Sequence, residues 1–433
     1  MTAEQLYQIY LKHPQICTDT RKITASSLFF GLKGDNFDGN KFALQALDSG
    51  AAFAIIDNAE YASDDRFVLV DDVLETLQDL ARLHRKHLKI PVIGITGSNG
   101  KTTTKELVKS VLSQQFNTFA TEGNLNNHIG VPLSILSVTH DFEIAIIEMG
   151  ANHQREIAFL CSIAQPSHGM ITNVGKAHLE GFGGIEGVRV GKGELYEFLS
   201  KTGGIVFLNN DDQTLISMSL ERGLLNTVGY GKEETNFLSA RLKNAIPFLS
   251  IDWNFSGKPI QTAFSNLPGI YNFDNICSAM CIGGYFNLSP EKINQGINAY
   301  KPLNNRSQIV TTPNNTIICD YYNANPSSMT VALENLEATD AKSKVLILGD
   351  MFELGEESAK EHRLILEKAL FTKADRRILV GEEFYKLRGI ENAEFYRNTL
   401  EAFEALSQRA VKQSTILLKG SRGMKLENLL NLL

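Results

Sequence analysis

The sequence predicts an α/β protein built from three domains. A short apolar strand runs into a glycine-rich turn and an amphipathic helix at 91–111, and strand-like and helix-like stretches alternate from about 90 to 300. A polar linker near residue 300 precedes a second alternating unit. With 433 residues, the chain is too long for a single core. We therefore predict a small α/β domain at 1–88, a central parallel-sheet domain of the P-loop ATPase type at 89–302, and a Rossmann-like domain at 303–433.

Composition narrows the classes of function that are open to the chain. Hydrophobic residues make up 43% and charged residues 21%, which is typical of a globular protein. The net charge of −7 argues against a general nucleic-acid binder, because such proteins need a dense basic face. No apolar run is long enough to span a membrane, and the five cysteines are scattered without a paired motif. We expect a cytoplasmic protein with no membrane insertion.

The first 88 residues contain apolar stretches separated by two polar loops. The loops, Thr18–Ile23 and Leu32–Phe42, are rich in groups that could hold a ligand, although loops of this composition, taken alone, are more often solvated turns. The apolar stretches predict strands at Ser27–Leu32, Ala51–Asp57 and Phe67–Val70, and helices at Phe42–Ser49 and Val73–His87.

The glycine-rich turn after the strand Val92–Thr96 has the pattern of a phosphate cradle. Gly97 and Gly100 permit turn dihedrals that point successive N–H groups at an anion beside the positive end of the following helix. Lys101 adds a point charge suited to the β and γ phosphates of a nucleotide, and the hydroxyl of Thr102 suits a Mg²⁺ ion. A tight turn without a ligand is the alternative, and the Gly-Lys pair followed by three threonines favours nucleotide binding.

Two polar side chains follow predicted strands of the central domain. Glu148 ends the strand that begins at Glu143, and His178 comes shortly after the strand Gly169–Val174. Ligands in open parallel sheets bind beyond the carboxyl ends of the strands, so both side chains are candidates for the site. Lys192, on a helix predicted from Gly191 to Leu199, is by composition an ordinary solvated lysine. Residues 204–265 predict short strands and little more.

The last domain repeats the alternation of strands and helices. Loops rich in charged and amide side chains follow several of its strands, which is the arrangement of a sheet edge that faces a ligand. The predicted strands are Thr316–Cys319, Val345–Leu348, Ile378–Val380 and Thr415–Leu418.

The motifs along the chain are similar to those of the Mur ligases of bacterial cell-wall synthesis. The resemblance rests on TGSNGKTTTKE, TEGNLNNHIGVP, EMGAN, ITNVGKAHLEGFGG, DYYNANPSSM, LGDMFELG and KGSRGMKLE, which occur in the order of the family and cover nearly the whole chain. DYYNANPSSM and KGSRGMK resemble the members that use D-alanyl-D-alanine. They differ from the members that add the third residue, which have a DNPR motif that is absent here.

The resemblance implies a role for individual residues. Lys101, Lys192 and His178 are the implied catalytic residues. The implied ATP-binding residues are Gly97, Ser98, Asn99, Gly100, Lys101, Thr102, Thr103, Asn272, Asn275, Arg306 and Asp320. The implied metal ligands are Thr102, Glu148, His178 and Lys192, with Lys192 carbamylated by CO₂. The implied contacts to the UDP-muramoyl peptide are Thr20, Arg21, Lys33, Asp38, Asn124, Asn126 and Asn127, and those to the dipeptide are Asn323, Asn325, Lys419, Ser421 and Arg422.

The resemblance also implies the reaction and its partners. The expected enzyme is a monomeric ATP-dependent acid–amino-acid ligase that joins D-alanyl-D-alanine to UDP-N-acetylmuramoyl-tripeptide through an acyl phosphate and uses ATP and two Mg²⁺ ions. Two alternatives remain: a ligase of the folylpolyglutamate synthase type, and a nucleotide-dependent switch that binds a partner without ligating it. The sequence leaves open which diamino acid occupies the third position of the tripeptide.

Overall fold

The computed structural model describes residues 1–303 and 305–433 of the chain. Its sheets are largely parallel, with helices in the connections, so the predicted α/β class is confirmed. One residue of the predicted linker, Asn304, lies outside the described residues. The exact domain boundary near 302 therefore stays a prediction.

The first domain is a parallel sheet whose strands lie in the order β1-β2-β5-β6, with a small antiparallel β3-β4 pair beside it. Single turns of 3-10 helix occur at Thr20–Lys22, Gly39–Phe42 and Ala59–Tyr61. The elements are α1 (Ala3–Lys12), β1 (Ile16–Cys17), β2 (Leu28–Phe30), β3 (Lys33–Gly34), β4 (Phe37–Asp38), α2 (Ala43–Asp48), β5 (Phe53–Ile56), β6 (Phe67–Leu69) and α3 (Val73–His87).

Helix α1 was not predicted from the sequence. Its start is fixed by a capping box: the Thr2 hydroxyl accepts the backbone N–H of Gln5, and the Gln5 side chain accepts the N–H of Thr2. Helix α3, by contrast, has the predicted bounds, and Asp72 caps it by accepting the N–H of Glu75. Both helices pack towards the central domain, where the Tyr10 hydroxyl donates to the carbonyl of Leu136.

The central domain is organised around one large sheet, whose strands lie in the order β15-β14-β13-β12-β11-β10-β7-β9-β8. The pairing is parallel from β8 to β13, and β13, β14 and β15 form an antiparallel extension. The strands are β7 (Val92–Thr96), β8 (Thr118–Ala120), β9 (Ile144–Glu148), β10 (His168–Ile171), β11 (Ile205–Asn209), β12 (Thr227–Gly231), β13 (Leu238–Asn244), β14 (Ser250–Phe255) and β15 (Gln261–Phe264). The helices are α4 (Lys101–Leu112), α5 (Gly130–Leu136), α6 (Glu156–Ala164), α7 (Leu179–Phe182), α8 (Ile185–Thr202), α9 (Gln213–Glu221), α10 (Phe273–Tyr285) and α11 (Pro290–Ala299).

Two predicted boundaries in this domain were wrong. The strand expected to reach Val174 ends at Ile171, because the residues after it fold over the cradle and hydrogen-bond to its backbone. The helix expected from Gly191 begins six residues earlier, at Ile185. The loop and the longer helix are the elements that bring His178 and Lys192 to the carboxyl edge of the sheet.

The last domain is a sheet in the order β16-β17-β21-β18-β19-β20, parallel except for β16. Asp320 at the end of β17 pairs in register with Lys419 at the end of β21. The elements are β16 (Gln308–Thr311), β17 (Thr316–Asp320), α12 (Pro326–Ala338), β18 (Lys344–Gly349), α13 (Ser358–Phe371), β19 (Arg376–Val380), α14 (Glu382–Tyr385), β20 (Glu394–Tyr396), α15 (Thr399–Gln408) and β21 (Thr415–Lys419). None of the helices that the structure describes combines the length and the apolarity needed to cross a membrane.

Candidate active site

The cradle connects β7 to α4, and its two key glycines cannot be replaced without collisions. Gly97 has φ +144°, and a Cβ there would lie 2.0 Å from Oγ1 of Thr172. Gly100 has φ +80°, and a Cβ there would lie 2.6 Å from Oδ1 of Asn275. Among the described residues no side chain caps α4, so its first N–H groups stay free for an anion. This shape fits a nucleotide phosphate.

Lys101 begins α4 and folds back over the turn. Its Nζ donates to the carbonyl of Gly97 at 2.6 Å and to that of Ser98 at 3.3 Å. Burial lowers the pKa of Lys101 to about 8, Glu148 opposes that shift, and the positive charge of Arg306 adds to it. The cation therefore sits within the turn and can exchange these carbonyls for phosphate oxygens.

Sheet order brings Glu148 to the cradle. Strand β9 is the neighbour of β7, and Ile95 pairs in register with Glu148. The buried Glu148 carboxylate accepts the Thr102 hydroxyl at 3.0 Å and the Asn126 amide at 2.8 Å. Two predicted metal ligands, Thr102 and Glu148, are thus adjacent, and both offer oxygen, the donor that Mg²⁺ prefers.

Lys192 lies deep in the central domain and is only 1% exposed. Its Nζ donates to the carbonyl of Ala151 at 3.1 Å and lies 5.1 Å from the centre of the Phe182 ring. Burial, followed by the charge of Lys101, holds the pKa of Lys192 well below its usual value. The same ring leaves no room for a side chain at Gly191, where a Cβ would lie 2.4 Å from Cε1 of Phe182. The solvated-lysine alternative for Lys192 is therefore wrong.

The last domain places its own polar groups over the cradle. The Arg306 guanidinium lies 3.8 Å from the centre of the Tyr322 ring, and its buried Nε has no hydrogen-bond partner in the described part of the chain. Asp320 forms an ion pair with Lys419 at 2.6 Å. The Asn325 amide donates to the Asn99 side chain of the cradle at 2.8 Å, which joins the two domains directly.

One cavity of about 960 Å³ collects most of the predicted residues from the two domains. Asn275, which was predicted to bind ATP, accepts the Thr104 hydroxyl, donates to Asn272 and lines this cavity. The predicted residues that line the cavity are Ser98, Asn99, Gly100, Lys101, Thr103, Asn124, Asn126, Asn127, Glu148, His178, Asn272, Asn275, Arg306, Asp320, Asn323, Asn325 and Lys419.

Other predicted residues lie outside this lining. Gly97, Thr102 and Lys192 lie behind its wall, where Thr102 contacts Glu148 and Lys192 contacts Ala151. Ser421 is buried and accepts the N–H of Phe352, and Arg422 stacks on Tyr322 at 5.0 Å.

Four of the residues predicted to contact the UDP-muramoyl peptide also lie away from the cavity, in the first domain. There Arg21 pairs with Asp19, Lys33 pairs with Asp57, and Asp38 accepts the N–H of Asn40. Thr20 begins a 3-10 turn.

Reasoning from the sequence missed several residues at the site. Lys105 is fully buried, donates to the carbonyl of Thr121 and lies 3.9 Å from Glu148. Asn173 accepts the N–H of Asn99, and Tyr271 and Tyr322 line the cavity. Lys105 stands one helical turn after Lys101, a spacing that could have identified it. The other residues follow strands or turns whose position only the tertiary structure fixes.

Comparisons with known proteins match all three regions of the chain. Residues 14–85 match the Mur ligase family, catalytic domain; residues 95–283 match the Mur ligase middle domain; and residues 305–422 match the Mur ligase, glutamate ligase domain. The UDP-N-acetylmuramoyl-tripeptide--D-alanyl-D-alanine ligase of Bacillus subtilis is 33% identical over 96% of this chain and 92% of its own length.

Solved structures agree with these matches. MurF from Acinetobacter baumannii superposes with a TM-score of 0.87 at 27% identity, covering 99% of this chain and 98% of its own. MurF ligase from Thermotoga maritima, in complex with ADP, gives a TM-score of 0.84 at 27% identity and covers 96% of each chain.

Proposed function

The chain belongs to the Mur ligase family, and we propose that it joins D-alanyl-D-alanine to UDP-N-acetylmuramoyl-tripeptide at the expense of ATP, in peptidoglycan precursor synthesis. The observation that carries this proposal is the shared cavity, in which a phosphate cradle meets charged and amide groups of a second domain. A ligase of this kind must hold ATP, a carboxylate and an amine together. The family match to residues 14–85 argues against the folate-type alternative, which lacks the uridine-type first domain.

The reaction consists of two displacements. A free carboxylate is a poor acyl donor, so its oxygen first attacks the γ-phosphorus of ATP, the bond to ADP breaks, and an acyl phosphate forms. The dipeptide's amine then attacks the acyl carbon, phosphate leaves, and the amine gives up a proton. In the first displacement two anions must approach each other, and unit charges about 4 Å apart repel by roughly 4 kcal/mol at an effective dielectric of 20. Lys101 offsets this repulsion from within the cradle.

The metal site is proposed at Thr102, Glu148, His178 and Lys192. Bound Mg²⁺ would screen the anionic phosphates and the attacking carboxylate. Across the described residues, three or more His, Cys, Asp or Glu side chains do not converge into a metal cluster, and Glu148 is the one carboxylate in the proposed set. A second anionic oxygen donor would complete it.

We propose that a carbamate on Lys192 supplies this donor. Carbamylation needs the neutral amine, because the nitrogen lone pair forms the new bond to CO₂ and one proton is released. The depressed pKa of Lys192 favours that form. The product would change a buried cation into an anion with two oxygens suited to a hard metal.

The substrates would approach from different sides of the cavity. We assign the dipeptide to the edge of the last domain at Asn323, Asn325 and Lys419, with Ser421 and Arg422 supporting that edge. We assign the muramoyl peptide to the Asn124–Asn127 loop, and the uridine nucleotide to Thr20, Arg21, Lys33 and Asp38 of the first domain. We place the monomeric enzyme in the cytoplasm, where its five free, buried cysteines stay reduced.

The decisive experiment measures product mass. The protein is incubated with ATP, Mg²⁺, D-alanyl-D-alanine and UDP-N-acetylmuramoyl-tripeptides that carry different diamino acids. We expect a product heavier than the tripeptide by one dipeptide less one water, with one phosphate released per product. Phosphate release without a ligated product would favour a nucleotide-dependent switch instead. So would phosphate release that needs only the tripeptide substrate or only D-alanyl-D-alanine.

A further inference from the structure

A contact between the central and last domains joins two loops that the proposed chemistry does not connect. His178, after β10, places Nδ1 2.5 Å from Oε2 of Glu353, which follows β18. Nδ1 is buried, and the two groups are close without being aligned for a hydrogen bond. The backbones also meet, since the N–H of Glu180 donates to the carbonyl of Glu353 at 3.5 Å. The imidazole in the cavity wall therefore lies against a carboxylate from the other domain.

Both residues have an unusual backbone conformation. His178 has φ +53° and Glu353 has φ +62°, in the left-handed region that residues other than glycine rarely adopt. Such conformations persist where the surroundings impose them, and they cluster at functional sites. Two of them in direct contact across a domain interface indicate that the surrounding structure fixes the geometry of this pair.

We propose that Glu353 is a positioning residue for His178: its carboxylate accepts the Nδ1–H of the imidazole when the domains dock, which leaves Nε2 as the nitrogen with a free lone pair. A neutral imidazole has one donor and one acceptor nitrogen, so fixing the proton on Nδ1 fixes the role of Nε2. This inference rests on the proposed function. It adds that His178 is competent only when the last domain supplies Glu353.

A second interdomain pair provides a matched control. Lys176 lies two residues before His178, and its Nζ binds the buried carboxylate of Glu361 on α13 at 2.6 Å. Its backbone N–H also donates to Ser327 at 2.9 Å. Lys176 and Glu361 lie outside the lining of the cavity. Glu361→Gln therefore removes the charge from an interdomain ion pair on the same loop and leaves the imidazole contact intact.

The test compares three substitutions of Glu353 in the full-length enzyme. Glu353→Gly and Glu353→Asn tolerate the left-handed backbone but lose the carboxylate at the imidazole, whereas Glu353→Gln keeps an acceptor oxygen of the same reach. We expect Glu353→Gly and Glu353→Asn to lower kcat by between about 10-fold and 100-fold, the usual range for such supporting groups, with KM for ATP changed by less than about twofold. Glu353→Gln should recover part of kcat, and the kcat of Glu361→Gln should stay within about twofold of wild type.

A spectroscopic readout separates orientation from docking. Nitrogen NMR of labelled imidazoles, assigned with His178→Gln, should show His178 protonated on Nδ1 in the wild type and a mixture of tautomers in Glu353→Gly. An unchanged spectrum in Glu353→Gly would overturn the proposal. So would a wild-type kcat in both Glu353→Gly and Glu353→Asn, or a loss of kcat in Glu361→Gln as large as in Glu353→Gly. Failure of the wild type to form product would refute the proposed function instead, while the tautomer comparison would still decide the positioning role.

Discussion

Replacing Lys101 by alanine tests the cradle most directly. The ammonium group lies within the turn, bonded to the carbonyls of Gly97 and Ser98, where the β and γ phosphates are proposed to bind. The substitution removes the unit positive charge of Lys101 that is proposed to lie beside the transferred, anionic phosphoryl group. At about 4 Å and an effective dielectric of 20, one charge pair is worth roughly 4 kcal/mol. Since each 1.36 kcal/mol is a factor of ten, kcat should fall by about 1000-fold.

The assay is product formation under saturating substrates, with phosphate release followed in parallel. Lys109→Ala is the matched control, because Lys109 lies in the last turn of the same helix and outside the lining of the cavity. Its kcat should stay within about twofold of wild type, as is usual for substitutions away from a site. If Lys101→Ala kept more than about a tenth of the wild-type kcat, the charge would not act on the reacting phosphate, and the assignment of the cradle would be withdrawn.

Three further predictions follow from the same site. Lys192→Ala should lose activity, and added acetate should restore part of that activity by filling the vacated ligand position. Lys192→Arg should be inactive, because arginine keeps the positive charge and cannot form the carbamate. Near-normal turnover in Lys192→Arg would refute the carbamate. If the last domain opens and closes over the cradle during turnover, Arg306→Ala should lower kcat at least about tenfold more than it lowers ATP affinity. Equal losses would mean that this domain keeps the docked position of the structure while ATP binds. In the absence of metal, the affinity of the protein for an ATP analogue should weaken as pH rises through about 8. The pKa of Lys101 is lowered to about 8, so its positive charge is lost above that pH. Calorimetric titrations across this range should give a flat profile for Lys101→Met, and a wild-type profile equally flat would contradict the assignment.

The sequence by itself determined the elements that depend on neighbouring residues. Strand β7 and helix α3 have the predicted bounds, because an apolar run, a glycine-rich turn and the Asp72 cap act within a few residues of one another. The start of α1 also has a local signal in the sequence, because Thr2 and Gln5 form a capping box. Local patterns of this kind need no knowledge of the rest of the chain.

The proposed site residues of the central domain were identified from the order of motifs, but their mutual contacts were not. Glu148 reaches Thr102 only because β9 pairs with β7, and no spacing in the sequence states that order of strands. By composition Lys192 was expected to be a solvated lysine, but helix α8 places it beside Phe182 in the interior. Burial of a charged group is a property of packing, which periodicity alone does not give.

Only the tertiary structure decided how the domains share one site. The Asn99–Asn325 bond and the His178–Glu353 contact join residues far apart in the chain. Neither pair carries a local signature, because each contact forms only when two separately folded domains meet. The sequence could supply the groups for binding a phosphate and a metal. Their assembly into one cavity with the groups of the last domain depends on long-range packing, which residue order encodes only through the whole fold.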